Sequence, residues 1–330
     1  MRRVVVVGDI VTDTVAVHER PLSVGSDTPA RITVGGGGSA ANTAAWLAWL
    51  GVPVTLVAVV GDDPAGSARL DELARAGVGL AVRRHRDLPT GTVVVLATAE
   101  ERTMLVDRGA NAALVPDDVR AALAGAGHLH LSGYPLFDPA TRPAALTALS
   151  GARGHGATTS VDAASAAPLR AVGGAAFLRW VHQEALLLAN VDEARALLAV
   201  PAGDRALGSD GDRDRSPPAA VLASRLARQL AQVVVKRGAR GALWAAGDQV
   251  TGVPAEPATV VDPTGAGDAF AAGLLAAWLD GGGPAAALAS GARTAALAVA
   301  VPGGRPGGNP PTGSGPGWSG PRQRPGGPDR

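Results

Sequence analysis

Six short apolar runs, spaced widely enough to hold a helix between them, limit the fold more than any other feature of the chain. They are Val4–Val7, Val54–Val60, His128–Leu131, Thr159–Asp162, Leu186–Ala189 and Val233–Lys236. Each is short, mostly aliphatic and followed by helical text. Val4–Val7 stops at Gly8-Asp9, as a strand buried on both faces does. Ser39–Leu50 reads as a helix, because Trp46, Leu47 and Leu50 recur at three- and four-residue spacing before Gly51 ends it. Strand and helix alternating in this way predict an α/β fold with a largely parallel sheet.

Two strand pairs break the alternation. Val15–Val17 with Ala30–Val34, and Thr92–Thr98 with Arg102–Val106 around Ala99-Glu100-Glu101, have no helix within the pair and predict a small separate sheet. Residues 201–219 read as a mobile polar loop between helices. From Gly303 onward, 17 of 28 residues are Gly or Pro, and Val, Leu, Ile and Phe are absent. Such a segment buries too little apolar surface to offset its ordering entropy, so 1–302 is expected to be the folded domain and 303–330 a disordered tail.

Composition removes several function classes. With no cysteine there is no disulfide, thiolate-bound zinc or thiol nucleophile. The net charge of +1 lacks the basic footprint of a nucleic-acid binder. Four arginines and one aspartate in the tail contribute +3, which leaves −2 on residues 1–302. Arg2-Arg3 before Val4–Val7 is too short a start for a signal peptide, and the Ala-rich stretch 285–302 is too weakly apolar to span a bilayer. The expectation is a soluble, cytoplasmic protein without nucleic-acid or membrane partners.

The segment richest in chemistry is Asp262-Pro263-Thr264-Gly265-Ala266-Gly267-Asp268-Ala269-Phe270, which runs into an apolar helix. Gly265 and Gly267 let the main chain wrap closely around an anion, and the helix start adds unpaired N–H groups and a positive dipole end. An aspartate inside a phosphate-attracting turn suits proton removal from an attacking hydroxyl, while the amides hold charge developing on a phosphoryl group. Asp268 also reads as a simple N-terminal helix cap.

This string resembles the C-terminal signature of the ribokinase-like PfkB carbohydrate kinases. Gly37-Gly38-Ser39-Ala40-Ala41-Asn42 resembles the family's second signature, and further landmarks run from Gly61-Asp62-Asp63 through Arg108-Gly109-Ala110-Asn111 to Lys236-Arg237-Gly238. The resemblance covers Val4 to about Gly304. It implies a three-layer α/β/α domain with a mostly parallel central sheet and a small β-sheet lid, built here from strands within about 11–36 and 90–108. It also implies transfer of the γ-phosphate of ATP, with Mg²⁺, to a primary hydroxyl of a small, ribose-like sugar.

Roles follow by resemblance. Asp268 is the base, and Gly265, Ala266 and Gly267 form the anion hole. Asn190 and Glu193 organise Mg²⁺ through water, a pattern that also reads as a capping box. Lys236, Gly238 and Thr264 lie toward the nucleotide. On the acceptor side, Asp9 and Asp13 suit vicinal hydroxyls at the carboxyl edge of the sheet, a position that also fits turn carboxylates. Gly37 and Gly38 admit a sugar against the backbone, and Asn42 adds an amide. Arg108 suits an anionic group, or else solvent.

Within the family, a nucleoside kinase is the alternative, as is a catalytically silent sugar-binding relative; a homodimer through the lid is allowed for. Asp162-Ala163-Ala164-Ser165 lacks the Asp-x-Asn pattern of several sugar-acid and fructose kinases. The Gly/Pro tail stands where many members complete a monovalent-cation loop, which argues against a K⁺ requirement. A nicotinamide dehydrogenase is excluded, because Gly8-Asp9-Ile10-Val11 lacks the glycine fingerprint that must follow the first strand.

Overall fold

The computed structural model describes residues 2–18, 20–97, 102–181, 185–200 and 218–307. In chain order the strands are β1 (Arg3–Val7), β2 (Val11–Val17), β3 (Arg31–Gly37), β4 (Val54–Gly61), β5 (Gly79–His85), β6 (Gly91–Ala97) and β7 (Arg102–Asp107), followed by β8 (Ala126–Ser132), β9 (Thr158–Asp162), β10 (Leu186–Asn190), β11 (Gln232–Lys236), β12 (Ala242–Ala246) and β13 (Gln249–Val253). Nine of them form one sheet in the order β13-β12-β11-β10-β9-β8-β1-β4-β5. Neighbours from β11 through β5 are parallel, and β12 and β13 add an antiparallel edge.

Because strand side chains alternate between faces, the valines of β1 are shared between two cores. Val5 and Val7 pack with Leu129, Leu131 and the helices Arg142–Gly154, Val191–Leu197 and Ala219–Ala227. Val4 and Val6 pack with Leu56, Ala58 and the helices Ser39–Trp49, Ala266–Leu279 and Pro284–Val299. A sheet covered on both faces explains why its central strands read as uninterrupted apolar runs.

The second sheet has the order β3-β2-β6-β7; β2 and β6 are parallel and the outer pairs antiparallel. Its register puts Asp13, Val15, Val93, Val95, Met104 and Val106 on one face, and Val34, Val94 and Leu105 on the other. Asp13 packs its carboxylate on Gly37 and feels the charge of Asp9, which follows β1. Apolar side chains are exposed on both faces, Met104 and Val106 on the Asp13 face and Ile32, Val34 and Leu105 on the other.

Three strands were not anticipated: β5, β12 and β13. Thr98 and the turn 99–101 of the anticipated hairpin lie outside the described residues, as do residues 201–217 of the polar loop. The tail boundary is corrected. Residues 303–305 pack onto the body instead of leaving it at 302, because Gly303 N donates to Asp262 and Gly304 O accepts from Trp46. Among the described residues no helix is long and apolar enough to cross a membrane.

Candidate active site

Five parallel strands deliver polar residues to one edge. Asp9 follows β1, Ser132 ends β8, Asp162 ends β9, Asn190 ends β10 and Lys236 ends β11. The N-termini of the helices Ser39–Trp49 and Ala266–Leu279 meet over this edge. Ser39 Oγ donates to Asp268 Oδ1 at 2.9 Å, and Asn42 Nδ2 donates to Asp268 Oδ2 at 3.0 Å. The two glycine-rich segments, more than two hundred residues apart in the chain, are thus joined through one carboxylate. Burial pushes the Asp268 carboxyl up to about 7, and the Asp162 carboxylate adds to this. The hydrogen bonds from Asn42 and Ser39 and the Lys236 charge hold it down.

Gly265 precedes the second helix with φ +72°, a left-handed backbone that favours glycine. A Cβ there would lie 2.4 Å from the Gly304 Cα, so the turn needs glycine for space as well. Lys236 is beside the same turn: a Cβ on Gly267 would meet its Nζ at 3.4 Å. Lys236 Nζ donates to Asp162 Oδ2 at 2.6 Å. Burial alone would lower its pKa, but Asp162 and Glu193 raise it and keep the ammonium charged. Thr264 N is tied to Asp262 Oδ1 at 2.8 Å. Gly238 opens the turn after β11 with φ +57° and faces open space.

On the acceptor side, Asp9 caps the first helix from a distance. Gly38 has no side chain to do so, and Asp9 accepts from Ser39 N at 3.1 Å and Ala40 N at 3.4 Å. Burial raises its pKa against those hydrogen bonds. Asp13 packs on Gly37, where any Cβ would come within 2.2 Å of the carboxylate. Burial lifts Asp13 to about 6, opposed by the charge of Arg305. Arg108 pairs with Asp138, so its guanidinium is already committed to a partner.

Asn190 and Glu193 form a reciprocal capping box: Glu193 N donates to Asn190 Oδ1 at 2.9 Å and Asn190 N to Glu193 Oε2 at 2.7 Å. Burial pushes Glu193 up to about 7, and Lys236 opposes this. Among the described residues no group of three or more His, Asp or Glu side chains converges as a metal cage. The oxygen-rich surroundings therefore fit a Mg²⁺ ion that keeps most of its waters, and not one held by protein alone.

Three residues at this edge lay outside the sequence-based site. Ser39 sits inside a recognised motif, yet nothing local reveals its bond to Asp268. Asp162 was read only as a departure from a pattern and proves to be the partner of Lys236. Arg305 lay in the expected tail.

Residues 1–311 match the model of the pfkB family carbohydrate kinases. An ATP-dependent ribose-1-phosphate kinase of Halopiger xanaduensis is 32% identical over 287 residues, covering 86% of each chain. A fructokinase of Salmonella typhimurium is 32% identical over 75% of this chain and 78% of its own. Among solved structures, a putative ribokinase II from E. coli in complex with ATP and Mg²⁺ superposes with a TM-score of 0.77 at 21% identity, covering 92% of this chain and 94% of the other.

Proposed function

Because the chain belongs to the pfkB family of carbohydrate kinases, we propose that it transfers the γ-phosphate of ATP to a primary hydroxyl of a small, ribose-like sugar, with Asp268 as the base. The observation that carries this reading is the position of Asp268, between the acceptor-side residues Ser39 and Asn42 and the Gly265–Gly267 turn. A carboxyl near pKa 7 is ionised in a large fraction at neutral pH and retains enough proton affinity to accept a hydroxyl proton.

In this reading Asp9, Asp13, Gly37, Gly38 and Asn42 receive the sugar, and Arg108 borders it. The amides of Gly265, Ala266 and Gly267 hold charge on the transferring group. Lys236, paired with Asp162, keeps a positive charge beside that turn; Thr264 and Gly238 border the nucleotide. Asn190 and Glu193 would hold water-bound Mg²⁺. Bound MgATP supplies the phosphoryl group and the cationic charge that offsets its own. The face of the small sheet opposite Asp13, with Ile32, Val34 and Leu105 exposed, suits pairing with a second copy.

A screen of ADP release over pentoses, hexoses, sugar 1-phosphates, sugar acids and nucleosides tests the substrate class. Activity on ribose-like acceptors is expected. Activity confined to nucleosides, or absent on all acceptors, overturns the reading. Asp268→Asn should lower kcat by roughly 10²-fold or more with ATP binding retained; unchanged turnover would remove Asp268 from its role.

A further inference from the structure

Arg305 inserts a cation into the acceptor side of the site from a segment with almost no apolar residues. Its Nη1 donates to Glu72 Oε2 at 3.1 Å, its Nη2 to Gly37 O at 3.0 Å and its Nε to Asn42 Oδ1 at 3.3 Å. The backbone just before it is tied down twice, by Trp46 Nε1 to Gly304 O at 3.0 Å and by Gly303 N to Asp262 Oδ2 at 2.9 Å. Among the described residues, the only neighbour it shares with Asp268 through hydrogen bonds is Asn42.

We propose that Arg305 is a positioning residue for phosphoryl transfer: it locks the Asn42 amide with the NH₂ group turned to Asp268, and so favours the ionised form of that carboxyl. The inference rests on the reading of Asp268 as the base. A guanidinium donates and never accepts, so the Asn42 atom that faces it must be the oxygen. A flipped amide would set Nδ2 against the guanidinium N–H groups. It would also present Oδ1 to Asp268, an arrangement that rewards the protonated carboxyl as donor. Arg305 removes that alternative. With the Asp268 carboxyl near 7, the two protonation states lie close together, and one hydrogen bond is enough to shift the balance.

Other charged groups face the same atoms and stay in place in every variant below. Lys236 and Asp162 act on Asp268 from β11 and β9, and Glu193 acts on Lys236. Half-buried Tyr134 lies close enough to Asp268 and Asp9 for both carboxylates to raise its pKa, after burial itself. Around Arg305 stand Glu72, Arg69 and Asp13; burial brings the guanidinium down to about 10.

The test is the pH profile of kcat/KM, whose acid limb reports the free enzyme's base. Arg305→Met should move that limb up by about one pH unit, as loss of one hydrogen bond to the charged form would give. Activity should then fall roughly tenfold at pH 6 and less than about twofold at pH 8.5. Arg305→Lys keeps the charge beside Glu72 but lacks the planar fork, and should shift the limb the same way. In an Asn42→Ala background, Arg305→Met should leave the limb where it is. An unmoved limb in both single variants, or an equal shift without Asn42, overturns the inference. If melting curves show that Arg305→Met fails to fold, Arg305→Lys decides. Asp268→Asn separates the two levels: full activity there defeats the base assignment, whereas lost activity with unmoved Arg305 profiles defeats only the role of Arg305.

Discussion

Two clusters of buried titratable groups lie along the same sheet and solve burial in opposite ways. At the carboxyl edge, three carboxyls, Asp162, Glu193 and Asp268, act on the one ammonium of Lys236. Further down β8 and β9, His128 and His130 stand opposite Thr158 and Ser160. There, His128 Nδ1 meets Thr158 Oγ1 and its Nε2 meets Ser160 Oγ, while His130 Nδ1 meets the same Ser160 Oγ, each at 2.8 Å. Hydroxyls both donate and accept, so they satisfy neutral imidazoles in any tautomer pair in which at least one of the two nitrogens facing Ser160 carries its proton. Burial holds the two histidines down, at about 3 and about 4. The second cluster is electrostatically finished. The first is not: burial raises Asp268 and Glu193 to about 7 each, and the single ammonium of Lys236 opposes this only in part. An unfinished cluster at an open strand edge is where protons, phosphates and a hydrated cation have something to complete.

The sharpest way to break this contrast is to disturb each cluster through a small residue. Gly265→Ala forces a side chain into a left-handed turn and against the Gly304 Cα, so it displaces the amides proposed to hold the transferring group and the segment that carries Arg305. Turnover should fall by about 10²-fold or more, the scale of losing a preorganised donor. Steady-state kinetics with a melting curve checks this, and near-normal turnover would mean the turn tolerates far more than its geometry implies.

Ser160→Ala makes the matching change in the finished cluster. It leaves His128 Nε2 and His130 Nδ1 without their shared partner in a dry interior. Stability should drop by about 1–3 kcal/mol, the usual cost of stranding a buried polar group. Turnover by the folded enzyme should stay within about twofold, because neither histidine hydrogen-bonds to Asp268, although His130 feels the charges of Asp162 and Lys236. Denaturant unfolding and kcat on one preparation check both statements; a large loss of kcat at unchanged stability would join the two clusters functionally.

The contrast also marks what was legible in the sequence. Runs such as Val4–Val7 announce strands buried on both faces, since neither face needs polar residues. β5 and β12 do not, because Arg83, Arg84 and His85 give β5 a polar end and Ala-rich β12 has helical composition. Asp268, Asn42 and Lys236 stand in local motifs whose chemistry is visible in a few residues. Ser39, Asp162 and Arg305 acquire their roles only through partners far off in the chain, and composition around Arg305 pointed to disorder. A segment poor in apolar residues was held instead by three hydrogen bonds from one guanidinium and two from its backbone neighbours.

The smallest expected effect is the most discriminating, because the two clusters pull stability in opposite directions with pH. The unfolded histidines take up protons near 6.5, but the folded ones stay neutral to about 3 and 4. Between those values the unfolded state binds more protons, so stability falls as pH falls. For Asp268 the unfolded value is 3.8 and the folded one about 7. The folded state therefore binds more protons in that window, and stability rises as pH falls. Glu193 and Asp13, raised to about 7 and about 6, act in the same sense as Asp268. The parent protein should accordingly show a shallow dependence between pH 6.5 and 4.5, made of two larger opposed slopes. His128→Gln removes part of the loss, so its stability relative to pH 7 should improve on acidification. Asp268→Asn removes part of the gain and should gain less stability on acidification than the parent. Unfolding midpoints in urea at four or five pH values measure all three slopes; parallel curves would mean that neither cluster holds its protons differently from the unfolded chain.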